Sequence, residues 1–315
     1  MNYTEFVNAV EKKMNLKLKG GEKVTLYTAL KNNGTERKGV MIEVPDVNVS
    51  PTIYLEEFYS KYQEGKTIDS IVDELIEFYE EIRQDQSWDY EKVLSFEGVK
   101  DRIVFKLINT QQNQMLLERV PHRKLLDLSL VFYVLFEANC EETAAMMITN
   151  AHAERWEVDE GMLWNVAVEN CRRLLPAECF TMNYAMCELM GVAEHSTRVD
   201  NDLLVAEKTE RDRMYVLSNK VRNFGAACIA YPYVLEMIGE ILKEDFYVLP
   251  SSVHEVVIVP SSGGICGYEM DEMIREINET QVPDEEILSD HAYYFDHISR
   301  ELRMRRKESF REARG

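Results

Sequence analysis

A chain of 315 residues with 45% hydrophobic and 29% charged side chains has the apolar content for one large core or two smaller ones. Its formal net charge of −20 works against nucleic acid and anionic membrane surfaces as partners, because phosphate neutralisation supplies most of that affinity. No window reaches the roughly 18 uncharged apolar residues a membrane span needs, and the N-terminus lacks a basic head followed by an apolar stretch, so the expected compartment is the cytoplasm.

The first elements are a helix and a hairpin. Tyr3, Phe6, Val7, Val10 and Met14 recur at helical spacing, and residues 23–31 and 37–44 read as strands joined at Asn32, Asn33 and Gly34. Residues 53–62 and 68–83 read as helices. The second has Thr67 as N-cap, Ile71, Val72, Leu75, Phe78, Tyr79 and Ile82 along one face, and its acidic residues on the opposite, solvated side. From residue 102 the composition shifts to Val, Ile, Phe and Tyr, which predicts strands over 103–108, 114–120 and 129–136, with 142–148 continuing the unit. Asp159 then caps a helix to residue 175 whose apolar stripe includes Asn170, an amide that must find hydrogen-bond partners if buried.

Residues 188–213 hold eleven charged side chains and few large apolar ones, which predicts a polar loop or linker. Beyond it, strands over 214–217, 246–249, 255–259 and 293–296 alternate with helices over 224–242, interrupted near Pro232, and 269–279. The expected organisation is an N-terminal region at 1–187, the linker at 188–213, a C-terminal α/β unit at 214–299 and a basic tail at 300–315. The fold class is α+β, with mixed sheets and helices packed on them. Seven Lys/Arg and three Glu give the tail a net +4, which leaves −24 on residues 1–299. A solvated helix or frayed terminus is the expectation there, with docking to the acidic body or to an anionic partner as the alternative.

Several segments, read together, closely resemble an uncharacterised bacterial family common in gut Firmicutes and catalogued as domain of unknown function 5688. They are Tyr-Val-Leu-Ser-Asn at 215–219, Asn-Phe-Gly-Ala-Ala at 223–227, Tyr-Pro-Tyr-Val-Leu at 231–235, Asp-Phe-Tyr-Val-Leu-Pro-Ser-Ser-Val-His-Glu-Val at 245–256 and Leu-Ser-Asp-His-Ala-Tyr at 288–293. Arg-Lys-Gly-Val at 37–40, Ser-Pro-Thr-Ile-Tyr-Leu-Glu-Glu-Phe-Tyr at 50–59 and Pro-His-Arg-Lys-Leu-Leu-Asp-Leu at 121–128 extend the likeness over nearly the whole chain. More distantly, Trp156, the helix at 164–170 and the Phe-Tyr-Val-Leu-Pro-Ser turn resemble YtpQ-like proteins, with Ser252 where those carry a basic residue. Neither resemblance implies an activity, a cofactor or catalytic residues.

The chemically able side chains concentrate at Pro-Ser-Ser-Val-His-Glu, 250–255, between two apolar strands. Ser251, Ser252, His254 and Glu255, taken with Ser289, Asp290 and His291, contain the types for a hydroxyl activated by imidazole and oriented by carboxylate. The opposing reading is a turn whose hydroxyls satisfy backbone groups. No Gly-x-Ser-x-Gly elbow is present, and the Gly/Ser loop at 261–267 lacks the Lys-Ser/Thr of a phosphate-binding loop. His122, His152, His195 and His297 have no second ligand at helical or strand spacing, and the six cysteines are too widely spaced for zinc and fit reduced thiols, so neither metal nor cofactor is expected. The expected function is a non-enzymatic binding or regulatory module with a protein or small-molecule partner. Two alternatives stay open: a hydrolase-like enzyme using Ser252 or Ser251 with His254 or His291, and anionic-partner or nucleic-acid contact through the tail.

Overall fold

The computed structural model describes residues 1–18, 21–43, 52–85, 90–138, 143–190, 214–250, 252–263 and 267–304. The chain separates into two compact units, Met1–Leu94 and Ser95–Gly315.

In the first unit, helix α1 (Tyr3–Lys17) opens with a capping box between Asn2 and Glu5 and buries Phe6, Val7, Val10 and Met14. Strands β1 (Lys23–Leu30), β2 (Glu36–Glu43) and β3 (Thr52–Tyr54) form one antiparallel sheet. The turn between β1 and β2 places Asn33 and Gly34 at positive φ, the conformation for which those residue types are suited. Helices α2 (Glu56–Gln63), α3 (Ile68–Asp85) and α4 (Tyr90–Val93) follow. Val24, Val40, Ile42 and Ile53 of the sheet share a core with Ile71, Val72, Leu75 and Tyr79 of α3. The acidic face of α3 is exposed, as its sequence pattern predicts, and part of it is ion-paired. Asp69 and Asp73 each lie 2.5 Å from a lysine of α1, Lys13 and Lys17, and Glu74 bonds Lys61 and Lys66.

The described residues of the second unit form two sheets. After α5 (Phe96–Val99), strand β4 (Ile103–Asn109) pairs with the long β6 (Leu128–Ala138). Along the other edge of β6 run β5 (His122–Leu125) and then β7 (Thr143–Met147), with α6 (Gln114–Leu117) between β4 and β5. Helices α7 (Asn150–Trp156) and α8 (Glu160–Leu174) come next, and α8 lies on β4, where Phe105 and Trp164 stack with centroids 5.2 Å apart. The chain then builds β8 (Ala177–Thr181), α9 (Met182–Leu189), β9 (Tyr215–Asn219), α10 (Val234–Leu242), β10 (Phe246–Leu249), β11 (Val256–Pro260), α11 (Gly267–Thr280), β12 (Tyr293–Asp296) and β13 (Glu301–Met304). Their strand order is β13-β12-β10-β11-β9-β8. Every pairing among the described strands is antiparallel, and the protein is α+β.

Asp127, in the turn between β5 and β6, joins the two sheets of this unit. Its carboxylate accepts from the Ser289 hydroxyl at 2.7 Å and from the Tyr293 phenol at 2.5 Å, while Asn109 donates to the Leu288 carbonyl at 3.0 Å. Burial and the Asp127 charge both raise the Tyr293 pKa well above its ordinary value, which keeps it a donor.

Several expectations change. Residues 52–54 form a strand before α2 begins, because Ile53 opposite Val40 completes the sheet's buried face. Gln114–Leu117 is a helical turn, its apolar residues spaced for one buried contact at Leu117 and not for a ladder. Glu301–Met304 is an edge strand, held by pairing with β12. The strands flanking the polar segment, β8 and β9, are hydrogen-bonded neighbours, so 188–213 joins two strands of one sheet and the unit boundary falls after Leu94. Residues 191–213 and 305–315 lie outside the described residues. Among the described residues no helix is long and apolar enough to cross a membrane.

Asn170 is buried on α8 and donates to the Lys100 and Ile103 carbonyls at 2.6 and 2.9 Å. Asn170→Ala leaves both carbonyls without that donor, so a loss of about 1–3 kcal/mol is expected. A lowered urea midpoint at unchanged slope is the readout.

Candidate functional site

Between β10 and β11 the chain leaves the sheet, and Ser252 makes an isolated antiparallel bridge with Ile287. Val253 N donates to Glu286 O at 2.9 Å and Ser289 N to Pro250 O at 3.0 Å, so the two histidine-bearing segments run side by side. Their side chains diverge. The Ser252 hydroxyl is buried and accepts from the backbone N of His254 at 3.0 Å, and the Ser289 hydroxyl, besides donating to Asp127, accepts from His291 N at 3.1 Å. The His254 Nε2 lies 3.5 Å from Glu286, while its buried Nδ1 has no hydrogen-bond partner among the described residues. The His291 Nδ1 lies 3.8 Å from Asp271, and Asp290 accepts from Asn278 at 2.9 Å. No serine hydroxyl of these segments bonds an imidazole among the described residues, and Ser251 lies outside them.

What the corner does hold is the loop after β9. Ser218 and Asn219 are fully buried. Ser218 donates to the His254 carbonyl at 2.8 Å, and Asn219 ties the loop by donating to Asn223 O at 2.6 Å and accepting from Val221 N at 3.0 Å. Arg222 and Phe224 both adopt positive φ, 58° and 59°, a strained state for such residues. Gly225 then fits where a Cβ would stand 2.1 Å from the Ser218 hydroxyl and 2.4 Å from the His254 carbonyl oxygen. Beside it, burial raises the Glu255 carboxyl above its ordinary range, with Glu286 acting in the same direction and His254 and Arg222 opposing.

The Gly/Ser loop carries an internal anion. Glu244 accepts from the Ser262 backbone N at 2.7 Å and from the hydroxyls of Ser261 and Ser262 at 3.1 and 2.9 Å. These donors are therefore already committed to a carboxylate; residues 264–266 lie outside the described residues.

A cleft of about 280 Å³ opens between α10 and the turn joining β12 to β13, lined by Glu236, Gly239, Glu240, Lys243, His297 and Arg300. His297, alone in the sequence, is partnered here. Its Nδ1 lies 2.6 Å from Asp245, whose carboxylate also accepts from His297 N at 3.0 Å and from the Tyr294 phenol. Burial alone would raise the Asp245 pKa, but these bonds outweigh it and hold the carboxyl below its ordinary value. The same bond, followed by burial, pushes the Tyr294 phenol up to about 12. With Nδ1 on Asp245, the ring presents Nε2 for other contacts. Gly239 lets α10 approach, since a Cβ there would stand 3.1 Å from the His297 Cβ. Arg300 bonds Glu236 at 2.9 Å and lies 3.8 Å from Glu240, and Arg303 lies 2.9 Å from Glu301, so the first cations of the basic tail are paired within the chain.

His122 bonds the Val120 carbonyl and His152 completes a capping box with Thr149, while His195 falls outside the described residues. Cys171, Cys179, Cys187 and Cys228 are free thiols. No group of three or more His, Cys, Asp or Glu is gathered as a metal ion would require among the described residues. The Asp245–His297 pair spans 52 residues, so spacing could not reveal it. The pairing of β10 with β12, Phe246 opposite Phe295, places them together.

The chain belongs to a family of unknown function, DUF5688, whose model matches residues 3–297. No curated protein and no solved structure matches, and the YtpQ-like resemblance finds no support.

Two measurements check this geometry. Gly225→Ala is expected to lose at least about 1–3 kcal/mol by overpacking against backbone that cannot yield, read as a lowered urea midpoint. Tyr294→Phe removes a donor from Asp245 and is expected to cost about 1 kcal/mol at pH 7. Because the folded carboxyl lies below its unfolded value, this stabilisation is complete above the ordinary carboxylate range and drains away as pH falls through the lowered one. The gap between the variant and the parent should therefore narrow below about pH 4.

Proposed function

We propose that the protein is a binding module that takes a small polar ligand in the cleft between α10 and the β12–β13 turn. The observation that carries this reading is the lining of that cleft: acidic and basic side chains face one concavity, and its imidazole is fixed from behind by Asp245. Lys243 makes no ion pair there among the described residues, and Glu240, three-quarters exposed, reaches Arg300 only at 3.8 Å. A ligand with a carboxylate and an ammonium, such as an amino acid or short peptide, meets Lys243 with one end and Glu240 with the other, beside the Arg300–Glu236 pair. Binding is favoured over catalysis because the serine hydroxyls at 252 and 289 are committed to backbone and carboxylate partners.

Backbone amide shifts of the ¹⁵N-labelled full chain, titrated with free amino acids and dipeptides, test the reading. Saturable shifts clustered at Gly239, Lys243, His297 and Arg300, and lost in Lys243→Ala, are expected. Shifts elsewhere, or none with millimolar probe, would overturn it.

A further inference from the structure

The six-stranded sheet of the second unit ends in two unlike edges. At one, β8 has four of its five residues buried. At the other, β13 pairs with β12 along one side only, from Glu301 opposite Asp296 to Met304 opposite Tyr293. Alternate residues of an antiparallel strand send their N–H and C=O groups to the same side. Two of the four residues of β13 therefore aim theirs away from β12, and among the described residues no backbone group pairs with them. An open edge of this kind is a template for a further strand.

The side chains of β13 separate by face. Leu302 and Met304 are partly buried on one, and Glu301 and Arg303 are exposed on the other. Leu302 stands opposite Phe295, which stands opposite Phe246 and stacks on it with ring centroids 4.9 Å apart. A row of apolar side chains thus runs out of the core and stops at the edge. On the charged face Arg303 lies 2.9 Å from Glu301 and 3.6 Å from Asp296. Charges on an edge strand ordinarily keep like strands apart. Here the two signs alternate, so register decides between repulsion and attraction.

Opposite residues of an antiparallel ladder either both exchange hydrogen bonds or both do not, so a twofold axis relating β13 to a second β13 must pass through a residue. An axis on Glu301 or Arg303 sets that charge against its own copy, and one on Met304 leaves the other three residues opposite positions beyond the strand. An axis on Leu302 has neither defect. We propose that β13 pairs the chain with a second copy of itself, antiparallel about a twofold axis at Leu302. Glu301 then lies opposite the partner's Arg303 and Arg303 opposite the partner's Glu301. Each guanidinium has donors for both carboxylates, so four charges of alternating sign close a ring on one face. On the other face Leu302 meets the partner's Leu302, and the row from Phe246 and Phe295 continues across the axis. The contact is short, which places the dimer in the weak, reversible class. None of the four residues of β13 lines the α10 cleft, and either reading can fail without the other.

Sedimentation velocity of the full chain at low salt, up to about 1 mM, tests the pairing. The mass should rise reversibly from the monomer's 36.7 kDa toward that of a dimer. Arg303→Glu gives an edge with two acids and Glu301→Arg one with two bases, so each alone should dimerise at least about tenfold more weakly, both symmetry-related pairs having turned repulsive. An equal mixture of the two should associate again, because the acidic edge then meets the basic one. Leu302→Cys supplies a second measurement that needs neither charge variant to fold. Under mild oxidation it should join two copies through position 302 faster than Ile298→Cys does, although Ile298 is 82% exposed. A parent that stays monomeric at about 1 mM, folded charge variants that dimerise as the parent does, a folded mixture that stays monomeric, or cross-linking at 302 no faster than at 298 would each overturn the proposal.

Discussion

The second unit depends on one close approach, that of Gly225 to the carbonyl of His254. At that point the loop after β9 sits directly on the corner between β10 and β11, with no room for a side chain. Ser218 donates to the same carbonyl from beneath, and Ala226 N donates to Val253 O. A buried carbonyl satisfied in this way costs little, whereas the same carbonyl without its donors would carry a desolvation penalty of about 1–3 kcal/mol. The contact therefore fixes loop and corner relative to each other, and everything that hangs from the loop, Phe224 foremost, inherits that position.

Polar side chains in the interior of this unit act mostly as joints. Asp127 binds one sheet to the other through Ser289 and Tyr293, Asn170 fastens α8 to the start of β4, and Asn278 holds the chain at Ser289 and Asp290. Each replaces water lost on burial with directed bonds, and directed bonds select one arrangement of sheets where apolar packing alone would tolerate several. The first unit solves the same problem at its surface. There, two lysines of α1 face two aspartates of α3, exposed pairs that add little stability and set which faces of the helices meet.

Elements with strong local signals were legible in the sequence. The capped helix after Asp159, the stripe of α3 and the apolar strands 246–249 and 293–296 needed nothing beyond periodicity and end signals. Short elements failed where local spacing competes with a distant partner: 52–54 extends because β2 offers it a ladder, and 301–304 because β12 does. The corner at 250–255 was visible as a concentration of able side chains, yet residue types could not say that Ser252 would turn its hydroxyl to the backbone of His254. His297 was passed over for the converse reason. Its carboxylate partner stands 52 residues away, and strand order, which the sequence does not state, brings the two together.

Electrostatics sets the α10 cleft and the surroundings of Lys106 apart from the corner. In a chain with 56 carboxylates and 36 Lys and Arg, a random cation soon finds an acid, as Arg300 and Arg222 do. The Lys106 ammonium instead lies over the ring of Tyr133 on β6 and that of Phe224, which the strained loop delivers, and its burial works against its own charge. Strain of one to a few kcal/mol per residue at positive φ persists only where the surroundings over-determine it. Here the surroundings are the buried Asn219, the seated Gly225 and the corner itself. The corner at 250–255 is thus a frame: the Ser252 hydroxyl closes on the His254 backbone, and the His254 carbonyl seats the loop after β9.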